Sequence, residues 1–462
     1  MQRNSDRLAQ DRPVRRAVEH NRNQLANKGY GGSMRSRRVV LQAALVAPFV
    51  AACAPGLLLG NPGSVRIAVS WSGLELTAFN AVLAGLRFPH PVEVVPLGDE
   101  IGTAFTADGR SAPDIVMLPH AGRVRELAER RRVRPVAEKL WHDEHGARYP
   151  ETWRRLAYHQ GKPYAVPFKA AAKSLVWYDR ESVAEHDLGD PASWTLPQWR
   201  DRMTALAGSG RRLLALGAAD GWVLTDMFEN VLLAESPPEY EAMGQAQGER
   251  DWDRDGVRAA FARSGELWSH PDALAGGVGP ALTRQFPDAV REVFQHRRAV
   301  MVAAPDFAEP VVRDGLRLAG RGDDVVGVVP FPAVERGVPG PRILGGDVMV
   351  LTESAGPRAD ALVAALAAPQ APLPWMRRYG GFLGPNLRTR GEYSSWLAPL
   401  AAEQGSGEIF DLSDRLGAVG GRDGLWRVLT DFLIEVGAQV CDVGAASERA
   451  VAALNRFERR QR

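Results

Sequence analysis

The chain has 462 residues, room for two or more domains, and an ordinary globular composition that excludes disordered and collagen-like classes. Only two cysteines, Cys53 and Cys441, exclude a disulfide framework. The formal net charge of +2 divides into +7 over residues 1–52, where ten Arg or Lys face three acids, and −5 over the rest; the body is mildly acidic, and no nucleic-acid partner is expected.

Residues 1–33 read as a disordered, Arg-rich extension, and Met34 offers an alternative start. From Val39 to Ala52 the chain has no charge. These 14 residues are fewer than the ~20 that a membrane-spanning helix needs. The length fits the apolar region of a signal peptide. "SRRVVLQ" (Ser36–Gln42) resembles a twin-arginine export signal, with Val40 where Phe is usual. "VAAC" (Val50–Cys53) resembles the lipobox of bacterial lipoproteins. Residues 34–52 are therefore expected to be removed and Cys53 to be lipidated. Residues 53–64 would then tether an exported protein to the outer face of the cell membrane.

The body opens with "VRIAVSW" (Val65–Trp71), short and β-branched, a buried strand. A helical pattern, "LELTAFNAVLAGL", follows, then the strands "PVEVVPL" and "PDIVMLP" and the helix "GRVRELAERR". Strand–helix alternation predicts a parallel sheet. Its ligands would lie at the carboxyl ends of the strands, where Trp71 and His120 fall. "YAVPF" and "SLVWYD" are two further strand-like runs around a Lys/Ala segment. Helical patterns with Trp occupy about 194–268. A second βαβ-like region holds "AVMVAAPDF", "VVGVVPFPA" and "RILGGDVMVLT", and mostly helices close the chain.

The chain has no P-loop, no dinucleotide fingerprint, no H-E-x-x-H and no G-x-S-x-G. Cys441 has no recognisable catalytic partner and reads as a buried small residue. "HDEH" (His142–His145) is short of a full ligand set and reads as a solvated helix end or loop. Neither a metal nor a cofactor is expected. Twelve Trp stand out, among them Trp71, Trp177 and Trp222. Indole faces pack against the C–H faces of sugar rings, while carboxylates and amides bond the hydroxyls; core filling is the competing role for each. Three of the five lysines, Lys162, Lys169 and Lys173, fall in "GKPYAVPFKAAAK". A compact ammonium suits a tight site where Arg does not fit.

Taken in order, "VRIAVSWSGLELTAFNAVLAGL", "PDIVMLPHAGRVRELAE", "YAVPFKAAAKSLVWYD", "GAADGWVLTDMFENVLL", "ILGGDVMVLT" and "WMRRYGGFLGPN" resemble the extracellular solute-binding proteins of carbohydrate ABC importers. The similarity is to α-glucoside, maltose- or trehalose-type binding lipoproteins. The resemblance implies an α/β, two-lobed periplasmic-binding-protein-like fold of type II, each lobe a mainly parallel sheet flanked by helices. Residues 65–168 and 298–345 would form the N-terminal lobe, and 169–297 and 346–462 the C-terminal lobe. "VPFKAA" would be the first hinge crossing, with a return near "AVMVAAPDF" and another crossing near "GGDVMV". By matching position, Trp71 and Glu75 would line one wall of the cleft, and His120 stands where Gln is common. Lys169 and Lys173 would flank the hinge. Trp222 and Asp226 would face the sugar from the other lobe. Gly345, Gly346 and Asp347 would form a hinge-side loop, and Phe382 would stack. "APDF" (Ala304–Phe307) departs from the usual Glu-Gly-Asp-Phe.

The implied protein is a monomer and not an enzyme. It closes on a carbohydrate, docks on ABC permease subunits and stays on the membrane through Cys53. Two other readings stay open at this point: a lipoprotein for a metal or peptide solute, and a secreted glycoside hydrolase.

Overall fold

The computed structural model describes residues 63–107, 112–245, 249–405, 407–438 and 442–461. The basic extension, the export signal, Cys53, most of the tether and Cys441 lie outside the described residues.

Strand β1 (Val65–Val69) is a β-branched run, almost wholly buried as a strand covered on both faces must be. It turns into helix α1 (Gly73–Gly85), which directs Ala78, Phe79 and Val82 inward. β2 (Val92–Pro96) and β3 (Ile115–Leu118) lie on either side of β1 and parallel to it, as the alternation predicts. Then come β4 (Val133–Arg134), β5 (Ala165–Ala172), β6 (Leu175–Asp179), β7 (Arg212–Leu214), α2 (Gly221–Glu235) and α3 (Asp255–Trp268). β8 (Ala299–Ala303), β9 (Val326–Pro330), β10 (Ile343–Thr352), α4 (Leu373–Arg378) and β11 (Ile409–Phe410) follow. α5 (Leu412–Arg415), α6 (Arg427–Gly437) and α7 (Val443–Arg460) end the fold.

Two larger sheets organise these elements. The first, of seven strands, runs β11–β10–β3–β1–β2, with β4 and β5 also on β10. The second, of four, runs β7–β8–β6–β9. The architecture is α/β and two-lobed, but both sheets are mixed rather than mainly parallel. β10 runs antiparallel to β3, β4 and β5, and β6 antiparallel to β8 and β9. The reason is the connectivity. Strands that carry the chain out of one lobe and back into it run in opposite directions.

The lobe boundaries also differ from expectation. β8 and β9, inside 298–345, belong to the second sheet, and β10 belongs to the first. The crossings are therefore at Lys173–Ser174, between β9 and β10, and after β11. "AVMVAAPDF" is a second-lobe strand and loop rather than a crossing. Periodicity marks β8 as a strand but does not name its neighbour, which is β6 through the pairs Val176–Ala303, Trp177–Val302 and Tyr178–Met301. α2, α3, α6 and α7 pack together as the helical layer of the second lobe.

Nine of the twelve Trp are buried in the core, including Trp177; Trp222, Trp396 and Trp426 are partly exposed. No helix among the described residues is long and apolar enough to cross a membrane.

Candidate ligand-binding cleft

A cleft of about 950 Å³, open to solvent, separates the two lobes. Trp71, Glu75, Asp99, His120, Lys169, Gly346 and Asp347 line it from the first lobe. Trp222, Phe307 and Trp426 line it from the second, and Lys173 lies at its base.

A β-bulge sets the first-lobe wall. β10 pairs Asp347 with Lys169 but Val348 with Pro167, so Phe168 is the extra residue on β5. Pro167 has no amide hydrogen to give to a ladder, and a bulge re-aims the side chains beside it. Phe168 enters an aromatic cluster with Trp71, Phe79 and Phe382, while Lys169 and Asp347 face the cleft. Gly346 has φ +137°, and a Cβ there would lie 2.1 Å from the Lys169 carbonyl oxygen, so only glycine fits this approach.

Trp71 lines the cleft only by its edge. It is 4% exposed, with ring centres 5.0 Å from Phe79 and 5.1 Å from Trp375. The Trp71 indole N–H beside Asp347 favours the ionised form of that carboxylate. The Lys169 ammonium bonds Glu75 and sits 5.0 Å from the ring centres of Phe307 and Trp375. Burial opposes its charge, but Glu75, Asp347 and Asp306 raise its pKa. Burial pushes Asp347 up to about 7, against the pull of Lys169. Asp306 is pushed up to about 7 for the same reasons. It also accepts the Ala172 N–H at 2.7 Å, tying a second-lobe loop to the hinge strand.

Beneath the cleft lies a buried polar network. The Lys173 ammonium is 3.0 Å from Asp226 and bonded to Asp411. Glu229 accepts the N–H groups of Leu412 (2.7 Å) and Ser413 (2.9 Å) and the Tyr240 hydroxyl (3.0 Å). Asn230 donates to the Lys173 carbonyl at 3.1 Å. Burial raises the pKa of Asp226 to about 7; although burial would raise Asp411 too, the Lys173 ammonium holds it down to about 2. His120 joins the network from the first lobe, its Nδ1 2.9 Å from Asp414. Burial alone would lower its pKa, but the bond to Asp414 and that carboxylate's charge raise it.

Three residues expected at the ligand lie elsewhere. Asp226 is under the cleft floor as a partner of Lys173, because the face of α2 that carries it packs inward. Gly345 does not line the cleft; it backs Lys173, whose Cε a Cβ there would meet at 2.7 Å. Phe382 is 1% exposed and packs on Phe168 (5.5 Å) and Trp375 (5.2 Å). Its loop docks on the second lobe through the Gly381 N–H, which bonds Glu309 at 2.8 Å.

The second-lobe wall is aromatic. Trp222 opens α2, with ring centres 5.0 Å from Phe286 and 5.8 Å from Phe307. Trp426 stands beside it in the cleft. Phe307, Trp426, Asp99, Asp306 and Asp411 are not among the residues the sequence marks. Asp306 and Phe307 were in view as part of "APDF", while Trp426 had only its residue type as a signal. At the mouth, Arg422 reaches Asp99 (3.3 Å) and Glu100 (3.4 Å) across the lobes.

In "HDEH", Asp143 is held by the Arg388 guanidinium and the His145 N–H, which keep its carboxyl well below the usual range. Among the described residues no group of three or more His, Cys, Asp or Glu is placed to hold a metal ion.

No protein-family model matches the chain. The osmoprotective compounds-binding protein GgtB of Synechocystis sp. is 27% identical over 364 residues, 74% of this chain and 82% of that protein. The alpha-glucosides-binding periplasmic protein AglE of Rhizobium meliloti is 26% identical over 367 residues, 74% of this chain and 76% of its own. Among solved structures, the bacterial solute receptor AcbH, described as preferring a galactopyranose, superposes with a TM-score of 0.70 at 16% identity. The match covers 86% of this chain and 100% of that one, a likeness of fold.

Proposed function

We propose that this chain, a homologue of the extracellular solute-binding proteins of ABC transporters, captures a sugar of the α-glucoside or oligosaccharide class between its lobes and delivers it to a permease. The observation that carries this reading is the division of the cleft. One wall offers the rings of Trp222, Phe307 and Trp426; the other offers Glu75, His120, Lys169 and Asp347. A pyranose has both surfaces, apolar C–H faces and a rim of hydroxyls, and would contact both walls at once.

A ligand that touches both lobes shifts the population toward the closed arrangement, because only that arrangement satisfies both sets of contacts. Lys169 and Asp347 would bond hydroxyls while Trp222 and Trp426 cover ring faces. The relatives named above are binding proteins, and the cleft is read here as a capture site without chemistry. Export and a lipid anchor on Cys53 complete the proposal, supported by "SRRVVLQ" and "VAAC". A monomer on the outer membrane face is the form it would take.

The test is a melting screen of the protein against mono- and disaccharides. A fitting sugar raises the melting temperature by mass action, and calorimetry then gives its affinity. If no mono-, di- or trisaccharide of glucose, galactose or fructose moves the melt, the sugar reading fails. Separately, Cys53→Ala should release the protein from membranes with sugar affinity intact.

A further inference from the structure

On the flank of the molecule, away from the cleft, a cavity of about 720 Å³, open to solvent, lies where the two lobes and β11 meet. Arg125 and Arg155 enter it from the short first-lobe helices Val124–Glu129 and Glu151–Ala157. Arg250 and Arg415 enter it from the other side. Glu241 and Glu408 are the acids on its walls among the described residues.

These arginines are not equally engaged. Arg250 is fully committed: to Glu458 (3.0 Å) and to the carbonyls of Met243 (3.0 Å) and Arg415 (3.1 Å). Arg415 is different. Its guanidinium lies over the Tyr240 ring and has one long contact, 3.5 Å, to Glu241. Its Nε and Nη2 are buried and have no acceptor, and neither has the buried hydroxyl of Thr152 on the same wall a partner. Arg125 and Arg155 are exposed and make no ion pair with another described residue. Glu408 accepts the Gly405 N–H at 2.9 Å.

Unspent guanidinium forks that converge on one cavity match the geometry of a tetrahedral oxyanion, whose several oxygens can each accept two N–H donors. We propose that this flank cavity is a binding site for a phosphate-class oxyanion, held by Arg125 and Arg155 from one lobe and Arg415 from the other. Thr152 supplies a neutral donor. The same chemistry is presented by free phosphate and by the headgroup of an anionic phospholipid.

The experiment is calorimetric titration of the full chain with inorganic phosphate, repeated on Arg125→Glu, Arg155→Glu and, as a control, Arg87→Glu, an exposed arginine away from the cavity. Loss of a charge-assisted contact should weaken phosphate roughly tenfold or more in the first two and leave the control unchanged. Arg415→Met belongs to the series, but it is packed on Tyr240, so the two exposed variants carry the test if it fails to fold. Co-sedimentation with phosphatidylglycerol vesicles separates the sources. Sedimentation that depends on Arg125 and Arg155 assigns the headgroup, and phosphate binding without it assigns a soluble anion. No binding at millimolar phosphate, or variants that bind as the parent does, overturns the proposal.

Discussion

Lys173 and Asp411, 238 residues apart, share a buried ion pair at the point where two of the three interlobe crossings meet. Asp226 shares the same ammonium at 3.0 Å, and Glu229 lies beside them. Removing one partner of a buried charge set leaves the others without compensation, at a cost of about 3–5 kcal/mol. Lys173→Met should therefore lose about that much in urea unfolding. Adding Asp226→Asn should recover part of the loss. A melt unchanged by Lys173→Met would mean the network does not bind the crossings together.

Trp222 and Trp426 are expected to carry sugar affinity, and Phe382 to carry stability. Trp222→Ala and Trp426→Ala should each weaken a bound sugar by about 1–2 kcal/mol, roughly 5–30-fold in Kd. Phe382→Ala, in the cluster with Phe168 and Trp375, should cost about 3–5 kcal/mol of folding stability. The milder Phe382→Leu should leave sugar affinity as it is. Calorimetry and denaturation on the same variants separate the two roles.

Asp347 gives a pH dependence whose sign follows from its raised pKa of about 7. The unfolded chain ionises this group near pH 4, the folded protein only near 7, so folding stability falls as pH rises through that window. Asp347→Asn removes the difference. The variant should be more stable than the parent at pH 8, by about 1–3 kcal/mol, and no more stable at pH 4. Equal gains at both pH values would place the effect in packing instead of ionisation.

Arg422 makes the opposite kind of contact. Its bridges to Asp99 and Glu100 are exposed, and such pairs contribute about 0–1 kcal/mol. Arg422→Ala should barely move the melting temperature. It should speed sugar release in stopped-flow measurements, because the bridge joins the lobes at the cleft mouth.

How much of this was legible in the sequence depends on the residue. β1 and β3 could be read in place because a buried parallel strand has a distinctive run of side chains. β8 could be read as a strand but not assigned to a sheet, because pairing with β6 is a long-range choice that no local pattern encodes. Lys169 and Lys173 were marked by the scarcity of lysine, and both stand in buried ion pairs. Phe382 misled for a simple reason. An aromatic side chain serves a core and a sugar platform equally well, and only burial tells them apart. Asp411, which caps α5, and Trp426 lie beyond β11, where the relation to the cleft is set by the third crossing.

The bulge at Phe168 makes the cleft sensitive to chain length as well as to side-chain identity. Side chains alternate along β5, so deleting one residue between 165 and 167 would exchange the directions of the next two. The Lys169 ammonium would then enter the oily cluster of Trp71 and Phe79, and the Phe168 ring would take its place among Glu75, Asp306 and Asp347. A gap in this strand would therefore be more damaging than most substitutions within it, and relatives aligned without a gap here would share the same inward and outward faces.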